Sequence, residues 1–229
     1  MALDKLRELL QTKKNFVFIG EAGSGKTEVA LSLAVHMTKL TDKSVHLFDM
    51  DQTKPNFRAR DAARKLEQTG VKLHYHEQVL DAPVVATGVK EHLRNENAYV
   101  LLDVGGGNHG SHMIGQFHEL LNLDNALVLY VLNPYRPWSG AAEDIRETMA
   151  RVLGSARLRR ITLLGNPNYG PETTLEDVLR GVEKLRALTE GVPLEFVTAL
   201  EPLCDELQTR IPEPVIPIHL HTLPDWMLK

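Results

Sequence analysis

Runs of apolar residues recur along this chain at intervals that leave room for a helix between one run and the next. Residues 16–19, 45–48, 99–103, 126–132, 161–164 and 194–197 are rich in Val, Ile, Leu and aromatic side chains, with little polar alternation. Strands of that kind are expected where both faces of a sheet are covered, as in parallel sheets. Between them, residues 28–38, 57–68, 85–94, 114–121, 140–153 and 174–190 carry apolar positions at helical spacing. Gly70, Gly154 and Gly191 stand where helices are expected to stop. The alternation predicts an α/β fold, a doubly wound and mainly parallel β-sheet flanked by helices. Ahead of the first strand, Leu3, Leu6, Leu9 and Leu10 spell a short amphipathic helix within residues 1–14. The tail 211–229, with Pro212, Pro214, Pro217 and Pro224, reads as an extended wrap over the same domain, and 215–219 as a candidate edge strand. Residues 1–229 are thus expected to form one domain.

The first strand-to-helix junction carries the most specific chemistry. Gly20-Glu21-Ala22-Gly23-Ser24-Gly25-Lys26-Thr27 fits G-x-x-x-x-G-K-[ST], the phosphate-cradling loop. Glycines let backbone N–H groups curl around phosphate oxygens, and the new helix, opening through Glu28, points its partly positive N-terminus at the same anion. Lys26 is expected to reach the β- and γ-phosphates and the Thr27 hydroxyl to hold Mg²⁺. Asp49 and Asp51 close the second apolar run, and Asp103, followed by Gly105, Gly106 and Gly107, closes the third. Carboxylates at strand C-terminal ends point into the ligand crevice of such sheets. Asp49 and Asp103 are therefore candidate Mg²⁺ ligands beside Thr27.

Composition narrows the partners. The net charge of −4 offers no broad basic field for nucleic acid or an anionic membrane. Cys204 is the one cysteine, which excludes an intramolecular disulfide and any Cys-x-x-Cys site and fits a reducing cytoplasm. No apolar run approaches the length of a membrane span, and residues 1–14 lack a signal-peptide core. His74 with His76, and His219 with His221, form His-x-His pairs that zinc or nickel could use, but no cysteine or close carboxylate completes a set; His109 and His112 follow the third-strand glycines. The stretch Asn133-Pro134-Tyr135-Arg136-Pro137-Trp138-Ser139 reads either as a rigid turn or as a recognition loop over the nucleotide.

With the phosphate loop, the Asp49-Met50-Asp51 segment running on to Asn56, the Asp103 strand end and the Asn166-Pro167-Asn168 stretch in view, the chain resembles the MinD/ParA/Mrp-like P-loop ATPases of the SIMIBI class. The resemblance covers about the first 170 residues. It implies that Asp51 orients the attacking water, that Asn166 reads adenine, and that ATP and Mg²⁺ are the ligands. It also implies a nucleotide-dependent homodimer and a switch acting on a partner protein. One position departs: Glu21 stands where the resemblance implies a signature lysine that reaches across the dimer. Two such carboxylates would approach two triphosphates, so weak ATP-driven pairing is expected. Lys54, Arg58 or Arg60 could supply the missing positive charge. The reading is a cytoplasmic, Mg·ATP-binding, ATP-hydrolysing switch, with a P-loop small-molecule kinase or ligase and a non-hydrolysing adaptor as alternatives.

Overall fold

In the computed structural model the described residues are 2–51, 66, 68–74 and 88–222. Helix α1 (Ala2–Thr12) leads into strand β1 (Asn15–Ile19), helix α2 (Lys26–Thr38), β2 (Ser44–Met50) and β3 (Val71–His74). Helix α3 (Val89–Arg94), β4 (Ala98–Val104), α4 (Gly107–Ile114), a 3₁₀ turn and α5 (His118–Leu121) follow, then β5 (Ala126–Leu132). Helix α6 (Ala142–Ala156), β6 (Thr162–Gly165), α7 (Leu175–Leu188), β7 (Leu194–Leu200), α8 (Glu201–Arg210) and β8 (Val215–Ile218) complete the order.

Among the described residues, eight strands lie in one sheet, in the order β3-β2-β4-β1-β5-β6-β7-β8, and every neighbouring pair is parallel. The apolar runs explain this arrangement, because alternate residues of one strand feed two cores. Phe16 and Phe18 of β1 pack with Leu6 and Leu10 of α1 and with α2, from Val29 to Met37. Val17 and Ile19 pack on the other face with α3, α4, α6 and α7, through Leu93, Ile114, Val152 and Val182. A strand buried on both faces needs no polar alternation. Strand β1 sits between β4 and β5, where the winding direction reverses, so the β1–α2 loop opens at the switch point where such sheets hold ligands.

Several expectations are corrected. Strand β3 and helix α8 are additional elements. Helix α8 buries Leu207 as its one fully enclosed apolar residue, so its amphipathic signal is faint. Helix α6 does not stop at Gly154: it runs on to Ala156, which is fully buried, and Arg157 takes the left-handed terminal position with φ 55°. The expected helix 114–121 is broken, since α4 starts already at Gly107 and a 3₁₀ turn follows it. The candidate edge strand at 215–219, by contrast, is observed as β8, paired with β7. Most of the expected helix 57–68 lies outside the described residues, as do Lys54, Asn56, Arg58, Arg60 and His76.

Candidate nucleotide-binding site

The phosphate loop links β1 to α2, and its conformation depends on glycine at Gly25. That residue has φ +93°, and a Cβ there would lie 2.2 Å from the Asn166 amide nitrogen. The Lys26 ammonium curls back and donates to the Glu21 carbonyl at 2.8 Å. Lys26 is 5% exposed: its stem is packed and its charge sits inside the loop. A second close approach closes the loop from the β4 side, because a Cβ on Gly106 would lie 2.8 Å from the Ala22 Cα.

Two carboxylates stand beside this loop. Asp49 and Asp103 are register partners on β2 and β4, and Asp103 is also the partner of Phe18 on β1. Register partners share a face of the sheet, and Phe18 faces the α2 layer. Asp49, Asp103 and the first turn of α2, which holds Thr27, are therefore on the same side at the same end. The Asp51 N–H donates to Asp49 Oδ1 at 2.9 Å, which fixes the orientation of that carboxylate. Asp51 itself lies against Gly105, where a Cβ would come 2.9 Å from its Oδ1. One hydroxyl and two carboxylates form the hard oxygen donor set that Mg²⁺ takes, so the residues present fit that ion.

The loop is braced by residues far away in the chain. Arg136 Nε donates to the Gly23 carbonyl at 2.9 Å and Trp138 Nε1 to the Ala22 carbonyl at 3.2 Å. The 133–139 segment is itself pinned. The Tyr135 hydroxyl donates to the Asp177 carbonyl at 2.5 Å, the Tyr135 ring stacks on Tyr169, and the Lys184 ammonium donates to the Pro134 carbonyl at 2.8 Å. This segment is thus a brace for the loop, although Trp138 remains 48% exposed at its edge. A small space beside the loop is lined by Glu21, Ser24, Tyr130, Arg136 and Trp138. Burial, and after it the Glu21 carboxylate, push the Tyr130 phenol well above its ordinary range, so it stays protonated.

Three expected site residues have side chains engaged elsewhere. Asn166 is buried; its Nδ2 donates to the Ser24 carbonyl at 2.7 Å and its Oδ1 accepts from the Thr198 hydroxyl at 2.7 Å. Both ends of that amide take part in holding the phosphate loop to β7. The Glu28 carboxylate accepts from the Thr222 hydroxyl and from the backbone N–H groups of His221 and Thr222, so it faces the C-terminal segment. Glu21 pairs with Arg151 of α6 at 2.9 Å.

No protein-family model and no curated protein matches the sequence. Solved structures match in fold. The chain is similar to the cell division protein FtsY from Thermotoga maritima, with TM-score 0.53, 19% identity, and coverage of 87% of this chain and 70% of that one. It is also similar to the signal recognition particle receptor FtsY from Elizabethkingia anophelis, with TM-score 0.49, 18% identity, and coverage of 96% of this chain and 69% of that one. A third is the septum site-determining protein MinD from Pyrococcus horikoshii, complexed with Mg-ADP, at TM-score 0.49, 19% identity and 86% coverage of each chain. The chain shares with the Thermotoga maritima FtsY structure its fold, a parallel sheet flanked by helices.

Proposed function

We propose that this chain is a Mg·ATP-binding and ATP-hydrolysing switch, built as one NTPase domain over residues 1–229 and acting on a partner protein. The observation that carries the reading is the convergence of the Lys26 loop with Asp49 and Asp103 at the sheet's switch point. Thr27, Asp49 and Asp103 would hold Mg²⁺, which would supply charge neutralisation for the bound phosphates. Lys26 gives up its internal acceptor, the Glu21 carbonyl, for phosphate oxygens, a stronger and charge-assisted bond. The amides of the loop hold the same oxygens. Asp51, beside Gly105, orients the attacking water, and Lys26 stabilises the charge that spreads over the γ-oxygens. The absence of an N-K-x-D base-reading motif favours adenine over guanine.

The rival kinase reading needs an acceptor pocket around residues 135–138. Tyr135 and Arg136 are instead spent on bracing, which favours hydrolysis. Pairing of two copies across the nucleotide face remains part of the proposal, since Glu21 is neutralised within its own chain. The test is calorimetry with Mg·ATP on wild type and Lys26→Ala, with circular dichroism to check folding. Loss of a charged hydrogen bond, about 1.5–3 kcal/mol, should weaken binding roughly 10- to 150-fold. Equal affinity in a folded variant overturns the site. Phosphate release without any added acceptor separates hydrolase from kinase.

A further inference from the structure

Three histidines from three separate elements meet on the sheet face opposite the carboxylates. His46 lies on β2, His74 ends β3, and His92 lies on α3. His46 is the register partner of Val100, which faces the core shared with α3, whereas Asp49 faces the α2 layer. The cluster is therefore separate from the nucleotide machinery. His46 Nδ1 is 2.9 Å from His74 Nε2, and the His92 ring centroid is 4.3 Å from that of His46 and 5.4 Å from that of His74. One ring nitrogen from each residue lies within 4.8 Å of those of the other two.

The protons on these rings can be placed by what surrounds them. His92 Nδ1 is 2.8 Å from the Gly88 carbonyl, which can only accept, so Nδ1 carries the hydrogen and Nε2 keeps a lone pair. His46 Nε2 is 3.0 Å from the Ser44 hydroxyl. With that N–H donated, His46 Nδ1 also presents a lone pair, and His74 Nε2 donates to it. Shifting the His74 proton to its own Nδ1 leaves three lone pairs converging. Metal-ligating imidazoles are anchored in this way, with the far nitrogen held by a backbone or side-chain oxygen. Burial, then the neighbouring imidazoles and Lys72, push His46 down to about 4, and burial lowers His74 too, so both are neutral at pH 7.

We propose that His46, His74 and His92 form a three-histidine site for a divalent transition-metal ion, Zn²⁺ in the first place, with water as the fourth ligand. Nitrogen ligands at about 2.0–2.1 Å around a tetrahedral ion stand roughly 3.4 Å apart. Small rotations reach that spacing, because His74 and His92 are only half-buried and sit on short elements at the sheet edge. Imidazole donors without thiolate or carboxylate suit zinc, copper or nickel and discriminate against Mg²⁺, so this site does not compete for the nucleotide's ion. A bound ion would tie α3 to β2 and β3. This inference does not rest on the proposed ATPase activity.

The test uses the full chain without a histidine tag, stripped with chelator and held in excess Mg²⁺. Titration with ZnCl₂ alone, followed by calorimetry and thermal melting, should show one ion per chain and a raised melting temperature. CoCl₂ should give the visible absorption of a tetrahedral ion. His74→Gln and His92→Gln, chosen because His46 is buried, should each weaken zinc binding at least about tenfold while Mg·ATP binding stays unchanged. Absence of stoichiometric binding by the wild type, or an octahedral cobalt spectrum, overturns the proposal. So does zinc affinity that survives both substitutions, which would place the ion elsewhere, for instance at His219 and His221.

Discussion

Glu21 Oε1 lies 2.9 Å from Arg151 Nη2, across 130 residues of sequence. The acidic side chain of the phosphate loop is therefore paired in its own chain, and the expectation that two bare carboxylates would hold two copies apart loses its basis. The Glu21 side chain is 15% exposed and that of Arg151 51%, so the pair is partly screened and is worth about 0.5–1 kcal/mol.

Arg151→Ala should uncover the Glu21 charge beside the triphosphate and weaken Mg·ATP binding by roughly two- to fivefold. Glu21→Gln in that background should restore affinity, and the effect should shrink as salt rises. Calorimetry across the four-member cycle measures it. An Arg151→Ala protein that binds ATP as the wild type does would show that the carboxylate is not felt at the phosphates.

Asp51→Asn keeps the shape of the side chain beside Gly105 and removes its charge. Turnover should fall roughly 10²-fold, the range for a positioned base, while ATP affinity is retained. Steady-state phosphate release and calorimetry together separate the two. Normal hydrolysis by the variant would move the water-orienting role to another residue.

Asn166→Ala removes the tie between Ser24 and Thr198 and leaves the Ser24 carbonyl buried without that donor. A cost of about 1–3 kcal/mol follows for an unsatisfied buried group, seen as a lower melting temperature and weaker nucleotide binding. The loss should be the same for ATP and GTP. A selective loss for adenine would return Asn166 to a base-reading role.

Acid should loosen the sheet edge at β8. His36 is buried, its Nε2 donates to the Pro217 carbonyl at 2.8 Å, and burial lowers its pKa below the ordinary 6.5. The folded state therefore prefers neutral His36, and the unfolded chain takes up the proton first as pH falls. Stability is held above about pH 6.5 and declines below it, with His46 and His74 acting in the same direction. Melting temperatures in chelator at pH 7.5 and 5.5 should show the decline, with a shallower one in His36→Gln. A protein that gains stability on acidification through this window would refute the assignment.

Much of the fold is legible before any coordinate is known. The run at 126–132 is the strand observed, and the G-x-x-x-x-G-K-T loop forms where a strand meets a helix. Those signals are local, because hydrophobic period and glycine position specify backbone geometry over a few residues. Helix α8 was faint for the same reason, with Leu207 its one fully enclosed apolar residue.

What the sequence determined by itself is thus the alternation of strand and helix, the two-sided burial of the sheet and the glycine-rich strand-to-helix turn at 20–27. The tertiary structure alone decided which distant side chains serve that loop. It set Arg151 on Glu21, Arg136 and Trp138 on the loop carbonyls, and Asn166 on Ser24. It also decided that His46 meets His74 and His92. The reason is strand order: β4 inserts between β1 and β2, and β1 separates β4 from β5, so residues far apart in the chain become neighbours through a packing arrangement that no local periodicity encodes.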